Sequence, residues 1–232
     1  MEKKVVFLTT LMIVLLLASL PLPAASKNGI VVSQNGRQMI ATQTPSQVIP
    51  AIEDDAKLAT ISGNLSTYKY GTFFCCFGWT IAGPNSELGL GQYIAVPFTP
   101  SKTMHVNKVE AAVGYYTANV PVTLSVNEDS NGLPGNPIKS WNAKVPYPYG
   151  ECCTLVSASS KAGVPVTGGT QYWLVVGAST DNSDFYGGWA DNTTDMRLHV
   201  LASVCIGTAC GSGNGKWEVG DDVLPAYAVL GK

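Results

Sequence analysis

The sequence has few charged residues and only two histidines. Charged residues make up 13% of its 232 residues, about half the share in an ordinary soluble domain. Because disorder requires high charge and few aromatic side chains, this composition excludes a highly charged disordered chain. The formal charge of −2 leaves no basic stripe, so nucleic acid is not an expected partner.

A long helical period is also missing beyond residue 60, where glycine and proline punctuate short apolar runs. Such runs between turn signals are typical of strands in an all-β fold. Residues 120–126 alternate between apolar and polar most regularly, and residues 170–177 are apolar on both faces, as in a central buried strand. We predict an antiparallel, jelly-roll-like β-sandwich of about eight to ten strands.

The first 26 residues have the pattern of a cleaved signal peptide. Lys3 and Lys4 precede an apolar run over residues 5–20, and the small residues 24–26 follow two prolines. This order of charged, apolar and small segments is typical of secretory signals. The run is shorter than a spanning helix, and no second stretch reaches that length. We therefore expect a secreted, extracellular protein that is not an integral membrane protein.

Residues 27–60 are expected to form an N-terminal extension ahead of a β-sandwich domain over residues 61–232. Residues 30–33 and 37–40 flank Asn35-Gly36, a favoured two-residue hairpin turn. The predicted hairpin either adds to the main sheet or is marginal alone. The stretch from 42 to 50 is rich in Gln, Thr, Ser and Pro and predicts a linker.

Six cysteines agree with export, because an even number in a secreted chain favours disulfides. Adjacent cysteines should not pair, since their Cα atoms lie too close together. We expect a Cys205–Cys210 bridge. One or two more should join the Cys75/Cys76 pair to the Cys152/Cys153 pair. The spacing does not match a zinc site, and nothing marks one thiol as activated.

Several segments resemble a group of bacterial secreted domains often called "choice-of-anchor" proteins. The similar stretches are residues 78–83, 92–100, 124–135, 152–156, 168–175 and 224–231. The resemblance implies an exported β-sandwich at or near the cell surface, and it carries no catalytic signature. This chain departs from the group in lacking an apolar-plus-basic sorting tail after residue 231, so the resemblance does not by itself imply attachment.

Catalytic motifs are largely missing. His105 and His199 are the only imidazole bases, both in apparent strands, and no nucleophile elbow occurs. The alternative is a secreted hydrolase that uses two carboxylates about 5–10 Å apart. The carboxylates that could supply such a pair are Glu110, Glu128, Glu151, Asp184, Asp191 and Glu218.

A calcium site is a second alternative, and calcium is the only cofactor considered. Asn127, Asp129 and Asn131 supply oxygen donors at the spacing of a calcium loop. The twelfth position is Ile138 rather than the bidentate glutamate that an EF-hand requires. Because Asp, Asn, Gly and Pro favour turns, a β-turn is the preferred interpretation.

Binding is the remaining class of function. Exposed aromatic rings offer sugars a flat apolar face. The candidate platform residues are Trp141, Tyr147, Tyr149, Tyr186, Trp189 and Trp217. Trp79 and Trp173 lie in better strand patterns and are expected in the core. We therefore predict a non-catalytic extracellular module that is structural or binds a glycan or cell-surface component. A carbohydrate-binding module and a hydrolase are the alternatives.

Overall fold

The computed structural model describes residues 30–34, 37–41, 57–65, 74–117, 120–149, 155–179, 183–191, 199–206 and 216–232. For 30–34, 37–41, 74–77, 199–206 and 220–223 it describes the backbone only. These residues form strands, turns and bends without a helix, so the predicted all-β class is confirmed. No helix able to cross a membrane occurs among them. The predicted signal peptide lies outside the described residues.

The described part of the chain contains fourteen strands. The first seven are β1 (Ile30–Gln34), β2 (Arg37–Ala41), β3 (Ala59–Gly63), β4 (Phe74–Ala82), β5 (Gln92–Phe98), β6 (Met104–Thr117) and β7 (Val122–Ser130). The others are β8 (Leu133–Ala143), β9 (Leu155–Val166), β10 (Tyr172–Ala178), β11 (Tyr186–Asp191), β12 (His199–Ile206), β13 (Lys216–Val223) and β14 (Tyr227–Gly231).

All strand pairs are antiparallel, and the main path runs β3-β14-β6-β11-β4-β5-β10-β7-β8. The hairpin β1–β2 joins β4, the hairpin β12–β13 joins β5, and β9 lies beside β6. β8, at one end of this path, also contacts β9. A sheet folded over its own core would produce such a contact, while the two-layer sandwich itself stays a prediction.

The inner face of the sheet carries the main core. Trp79 and Trp189 are directly paired across β4 and β11, and neither is exposed to solvent. Leu124, Leu174 and other buried side chains complete the same cluster. Each fully buried side chain of this size contributes about 1.5–3 kcal/mol, so this layer supplies most of the driving force for folding. The predicted core positions Trp79 and Trp173 are both buried.

β10 is buried on both faces, as its sequence predicts. Every residue of the strand is buried. On its outer face the half-buried Trp217 of β13 packs against Trp173 and Val175. The β12–β13 hairpin, which pairs with β5, therefore covers the outer face of β10.

β9 is a strand that the sequence analysis did not predict. Its register against β6 jumps from Val164 opposite Val106 to Ser159 opposite Lys108, so residues 160–163 bulge outward. The Asn107 side chain spans this bulge and donates a hydrogen bond to the Ser160 carbonyl at 3.2 Å. The small, polar bulge sequence interrupts the apolar alternation that would have indicated a strand.

The predicted N-terminal hairpin is present. Gln34 pairs with Arg37, which leaves a two-residue connection. β2 then pairs with β4, with Met39 opposite Trp79. The hairpin therefore extends the main sheet.

Candidate functional site

Three adjacent strands, β6, β11 and β4, each contain a glycine followed by an aromatic residue. The dipeptides are Gly114-Tyr115, Gly188-Trp189 and Gly78-Trp79. Because side chains alternate across a strand, the aromatic residues turn inward and the glycines face outward. We call Gly78, Gly114 and Gly188 the glycine strip.

Tyr149 lies across the glycine strip. A Cβ at Gly114 would lie 2.6 Å from the Tyr149 Cα, and one at Gly188 would lie 2.6 Å from Cε2. A Cβ at Gly78 would lie 2.5 Å from the Tyr149 hydroxyl. The side chain therefore crosses from β6 to β4 with its ring against bare backbone, and only glycine leaves room for it.

The backbone next to Tyr149 is fixed to the end of β6. The Tyr149 N–H donates to the Tyr115 carbonyl at 2.7 Å, and the Tyr115 N–H donates to the Tyr147 carbonyl at 3.3 Å. Residues 147–149 thus run parallel to this end of β6. These hydrogen bonds determine where the Tyr149 ring starts its path over the sheet.

Tyr116 stacks between Tyr149 and Tyr186, and we call these three rings the tyrosine stack. The ring centroids of Tyr116 and Tyr149 are 5.2 Å apart, and those of Tyr116 and Tyr186 are 5.3 Å apart, with interplanar angles of 27° and 26°. Burial raises the pKa of Tyr186, and the negative charge of Glu87 raises it further. The Tyr186 phenol therefore stays protonated at neutral pH.

One ring at the same end of β6 is open to solvent. Tyr147 is 53% exposed, the largest fraction among the large apolar side chains of the described residues. Tyr115 and Tyr116 nearby are half-buried. We call this group, Tyr115, Tyr116, Tyr147, Tyr149 and Tyr186, the tyrosine-rich end of the molecule.

Four of the six candidate platform residues, Trp141, Tyr186, Trp189 and Trp217, do not share a surface. Trp189 is fully buried and Tyr186 is 3% exposed, so neither offers an open ring face. Trp141 is half-buried against the main core, and Trp217 is half-buried on the outer face of β10. The structure does not bring these four residues together as one aromatic row.

Two of the three candidate calcium residues, Asn127 and Asp129, form hydrogen bonds within the protein. Asn127 donates to the Gly135 carbonyl at 2.8 Å and accepts a hydrogen bond from Ser125 at 2.6 Å. Asn131 has a φ of 57° and precedes Gly132, whose φ is 80°, as a tight two-residue hairpin turn requires. Residues 131–132 thus form the turn between Ser130 and Leu133. Among the described residues, no group of three His, Cys, Asp or Glu side chains could hold a metal ion.

Asp129 connects this turn to β10. Its Oδ2 accepts from the Gly132 N–H at 3.0 Å, and its Oδ1 accepts from Trp173 at 2.8 Å and from Gln171 at 2.6 Å. Desolvation alone would raise the pKa of Asp129, but these three hydrogen bonds outweigh it and lower the pKa below 3.8. The carboxylate is therefore a structural acceptor whose lone pairs are largely used.

The carboxylates considered for hydrolysis have separate surroundings. Glu110 is buried and forms an ion pair with Lys108 at 2.9 Å. Glu218 is exposed and lies 3.5 Å from Lys216, and Asp191 is buried at the end of β11. Glu128 and Asp184 are exposed.

Some predicted positions cannot be placed. Glu151, Cys152, Cys153 and Cys210 lie outside the described residues, and the side chains of Cys75, Cys76, Cys205 and His199 lie outside the described side chains. His105 is exposed on β6, as expected for an outward-facing strand position.

Comparison with known proteins assigns no family. No protein-family model, curated protein sequence or solved structure matches the chain.

The sequence analysis missed the role of Tyr149 and of the glycine strip. A signal for them was present, because the glycine–aromatic dipeptide recurs in three of the predicted strands. Their adjacency depends on the strand order, which brings β6, β11 and β4 together although they are far apart in sequence.

Proposed function

We propose that the chain is an exported, disulfide-bonded β-sandwich that has no catalytic role and acts as a binding or structural module at the cell surface or in the matrix. Export is supported by the signal-peptide pattern of residues 1–26 and the even number of cysteines. The non-catalytic role is supported by the burial of Glu110, one of the carboxylates considered for hydrolysis, in an ion pair with Lys108.

The packing of Tyr149 supports the proposed cross-links between the two cysteine pairs. Tyr149 precedes Cys152 by three residues, and Gly78 follows Cys76 by two. Tyr149 contacts Gly78. Because each of these residues is only two or three positions from a cysteine pair, the two pairs are tethered close enough for a bridge to form. Non-reducing peptide mapping of the exported protein should find a peptide of Cys75/Cys76 linked to one of Cys152/Cys153. Free thiols at all four positions would contradict the proposal.

A glycan is the binding partner that the geometry favours, and the observation that carries this choice is the exposed ring of Tyr147. It lies at the tyrosine-rich end, where backbone hydrogen bonds to Tyr115 hold its main chain in place. A ring on a fixed backbone loses little conformational entropy when a ligand binds, which favours affinity. Tyr147 is one of the candidate platform residues named from the sequence.

The test is a glycan array followed by titration of any glycan that binds, with a pair of variants. Tyr147→Ala removes the ring, whereas Tyr147→Phe keeps its apolar face and serves as the matched control. We expect Tyr147→Ala to weaken binding at least tenfold and Tyr147→Phe to weaken it much less. If Tyr147→Ala binds as tightly as the unmodified protein, or no glycan binds, the glycan proposal fails.

The non-catalytic part of the proposal is tested separately. The purified exported protein is incubated with a panel of polysaccharides and esters, and released products are measured. We expect no turnover above the buffer rate. Hydrolysis that is lost in Glu128→Gln, Asp184→Asn or Glu218→Gln, the exposed members of the carboxylates considered for hydrolysis, would instead support the hydrolase alternative.

A further inference from the structure

We propose that the N-terminal hairpin β1–β2 can leave its own sheet and pair with β4 of a second copy of this chain, linking copies by strand exchange. The inference goes beyond the proposed function, because it depends on the strand pairing and not on a glycan or on the disulfides.

The hairpin is attached to the rest of the sheet along one edge only. β1 pairs with β2, and β2 pairs with β1 and β4. The contact with β4 covers three residue pairs, with Met39, Ile40 and Ala41 opposite Trp79, Gly78 and Phe77. A two-stranded hairpin is at best marginally stable alone, so it needs a sheet edge to dock against.

The edge that the hairpin occupies is provided by every copy. The opposite edge of β4 pairs with β11 within the main path. If β2 leaves, the backbone groups of residues 77–79 that faced it become unpaired. An unpaired strand edge is a template for another strand, and the best-matched strand available is the same hairpin from another copy, since its register is already compatible.

The chain between the hairpin and β3 is long enough for exchange. Residues 42–58 join Ala41 of β2 to Ala59 of β3. Fully extended, this stretch reaches about 60 Å, whereas a domain of about 170 residues is about 40 Å across. The hairpin can therefore reach the β4 edge of a neighbouring copy while β3 stays in its own sheet.

Closed and exchanged forms contain the same backbone pairs, so protein concentration decides between them. Because residues 42–58 tether the hairpin to its own chain, its effective concentration near its own β4 is on the order of 1 mM. Dilute protein should be closed, and exchange should become substantial as the protein approaches about 1 mM. Because the hairpin and its acceptor edge are different surfaces, exchange that does not close would give open chains of copies.

The experiment uses the complete exported protein with p-benzoylphenylalanine in place of Met39, opposite Trp79. Copies of natural isotopic composition are mixed equally with 15N-labelled copies and incubated just below the unfolding transition at several concentrations. After photo-crosslinking, mass spectrometry reports whether hairpin and β4 peptides come from the same or different copies. The matched control carries the same probe at Ser62 of β3, opposite Val229, which should give same-copy pairs throughout.

We expect same-copy pairs at about 10 µM and a share of mixed-isotope pairs that rises at least tenfold towards 1 mM. The inference is overturned if mixed pairs stay at the level of the Ser62 control at every concentration. It is also overturned if the probe at position 39 crosslinks to no part of β4, because the hairpin would then not occupy that edge.

Discussion

On the outer face of the sheet, β4, β6 and β11 carry the glycine strip, whereas β10 carries Trp173 and Val175. The glycine strip is covered by Tyr149, which stacks on Tyr116 of β6, and the outer face of β10 is covered by Trp217 of β13. At the glycine strip the cover alone supplies apolar side chains, whereas at β10 both the strand and its cover supply them.

This difference shows that a strand position without a side chain can still be buried on both faces. At the glycine strip the cover approaches the backbone itself, so its packing depends on the absence of a Cβ. At β10 the cover meets side chains that can adjust their rotamers. The glycine-lined face should therefore tolerate added volume poorly, and the β10 face should tolerate lost volume poorly.

The largest effect is expected when a methyl group is added to the glycine strip. Gly114→Ala places a Cβ against the Tyr149 backbone, which cannot rotate away, so we expect a loss of about 3 kcal/mol in the free energy of unfolding. Gly135→Ala on β8 is the matched control, because its Cβ would have no neighbour closer than 3.1 Å. Urea unfolding measures both variants, and equal losses would contradict the proposed packing.

A double-mutant cycle sharpens the same prediction. At Gly188 the added Cβ meets the Tyr149 ring rather than its backbone. Tyr149→Ala should therefore relieve the strain of Gly188→Ala, with a coupling free energy of about 1–2 kcal/mol. The same cycle with Gly114→Ala should show much less relief. Additive losses in both cycles would mean that the ring does not lie on Gly188.

Removing the cover of the other face should have a smaller effect. Trp217→Ala exposes Trp173 and Val175, and because Trp217 is only half-buried we expect a loss of about 2 kcal/mol. Trp217→Phe should keep most of the stability. Tryptophan fluorescence should shift to the red in the Ala variant as Trp173 meets water, and an unchanged spectrum and stability would place the hairpin elsewhere.

The smallest effect is expected at Asp129, the link between the hairpin turn and β10. Since the folded pKa lies below the ordinary value of 3.8, the carboxylate adds stability above about pH 4, and this contribution is lost as pH falls through the lowered pKa. The site is exposed, so the contribution should stay under about 1 kcal/mol. The stability difference between the unmodified protein and Asp129→Asn should vanish in acid. A difference that does not change with pH would exclude a role for the ionised form.

The all-β class, the hairpin and the double burial of β10 could be predicted from the sequence because each depends on local pattern. β5 and β7 coincide with runs whose apolar pattern is readable in the sequence. The Asn35-Gly36 dipeptide between β1 and β2 is a favoured hairpin turn. β9 escaped prediction because a bulge held by Asn107 breaks its alternation. The tyrosine-rich end escaped because Tyr116, Tyr149 and Tyr186 come together only through strand order, which local pattern does not specify.

The central claim is that Tyr149 is closed against the glycine strip while Tyr147, two residues earlier, is open. Nitration of tyrosines in the native protein, followed over time by peptide mass spectrometry, tests this pair directly. We predict that Tyr147 reacts first and that Tyr149 and Tyr186 react only under conditions that unfold the protein. Nitration of Tyr149 at the rate of Tyr147 in the folded protein would contradict the account.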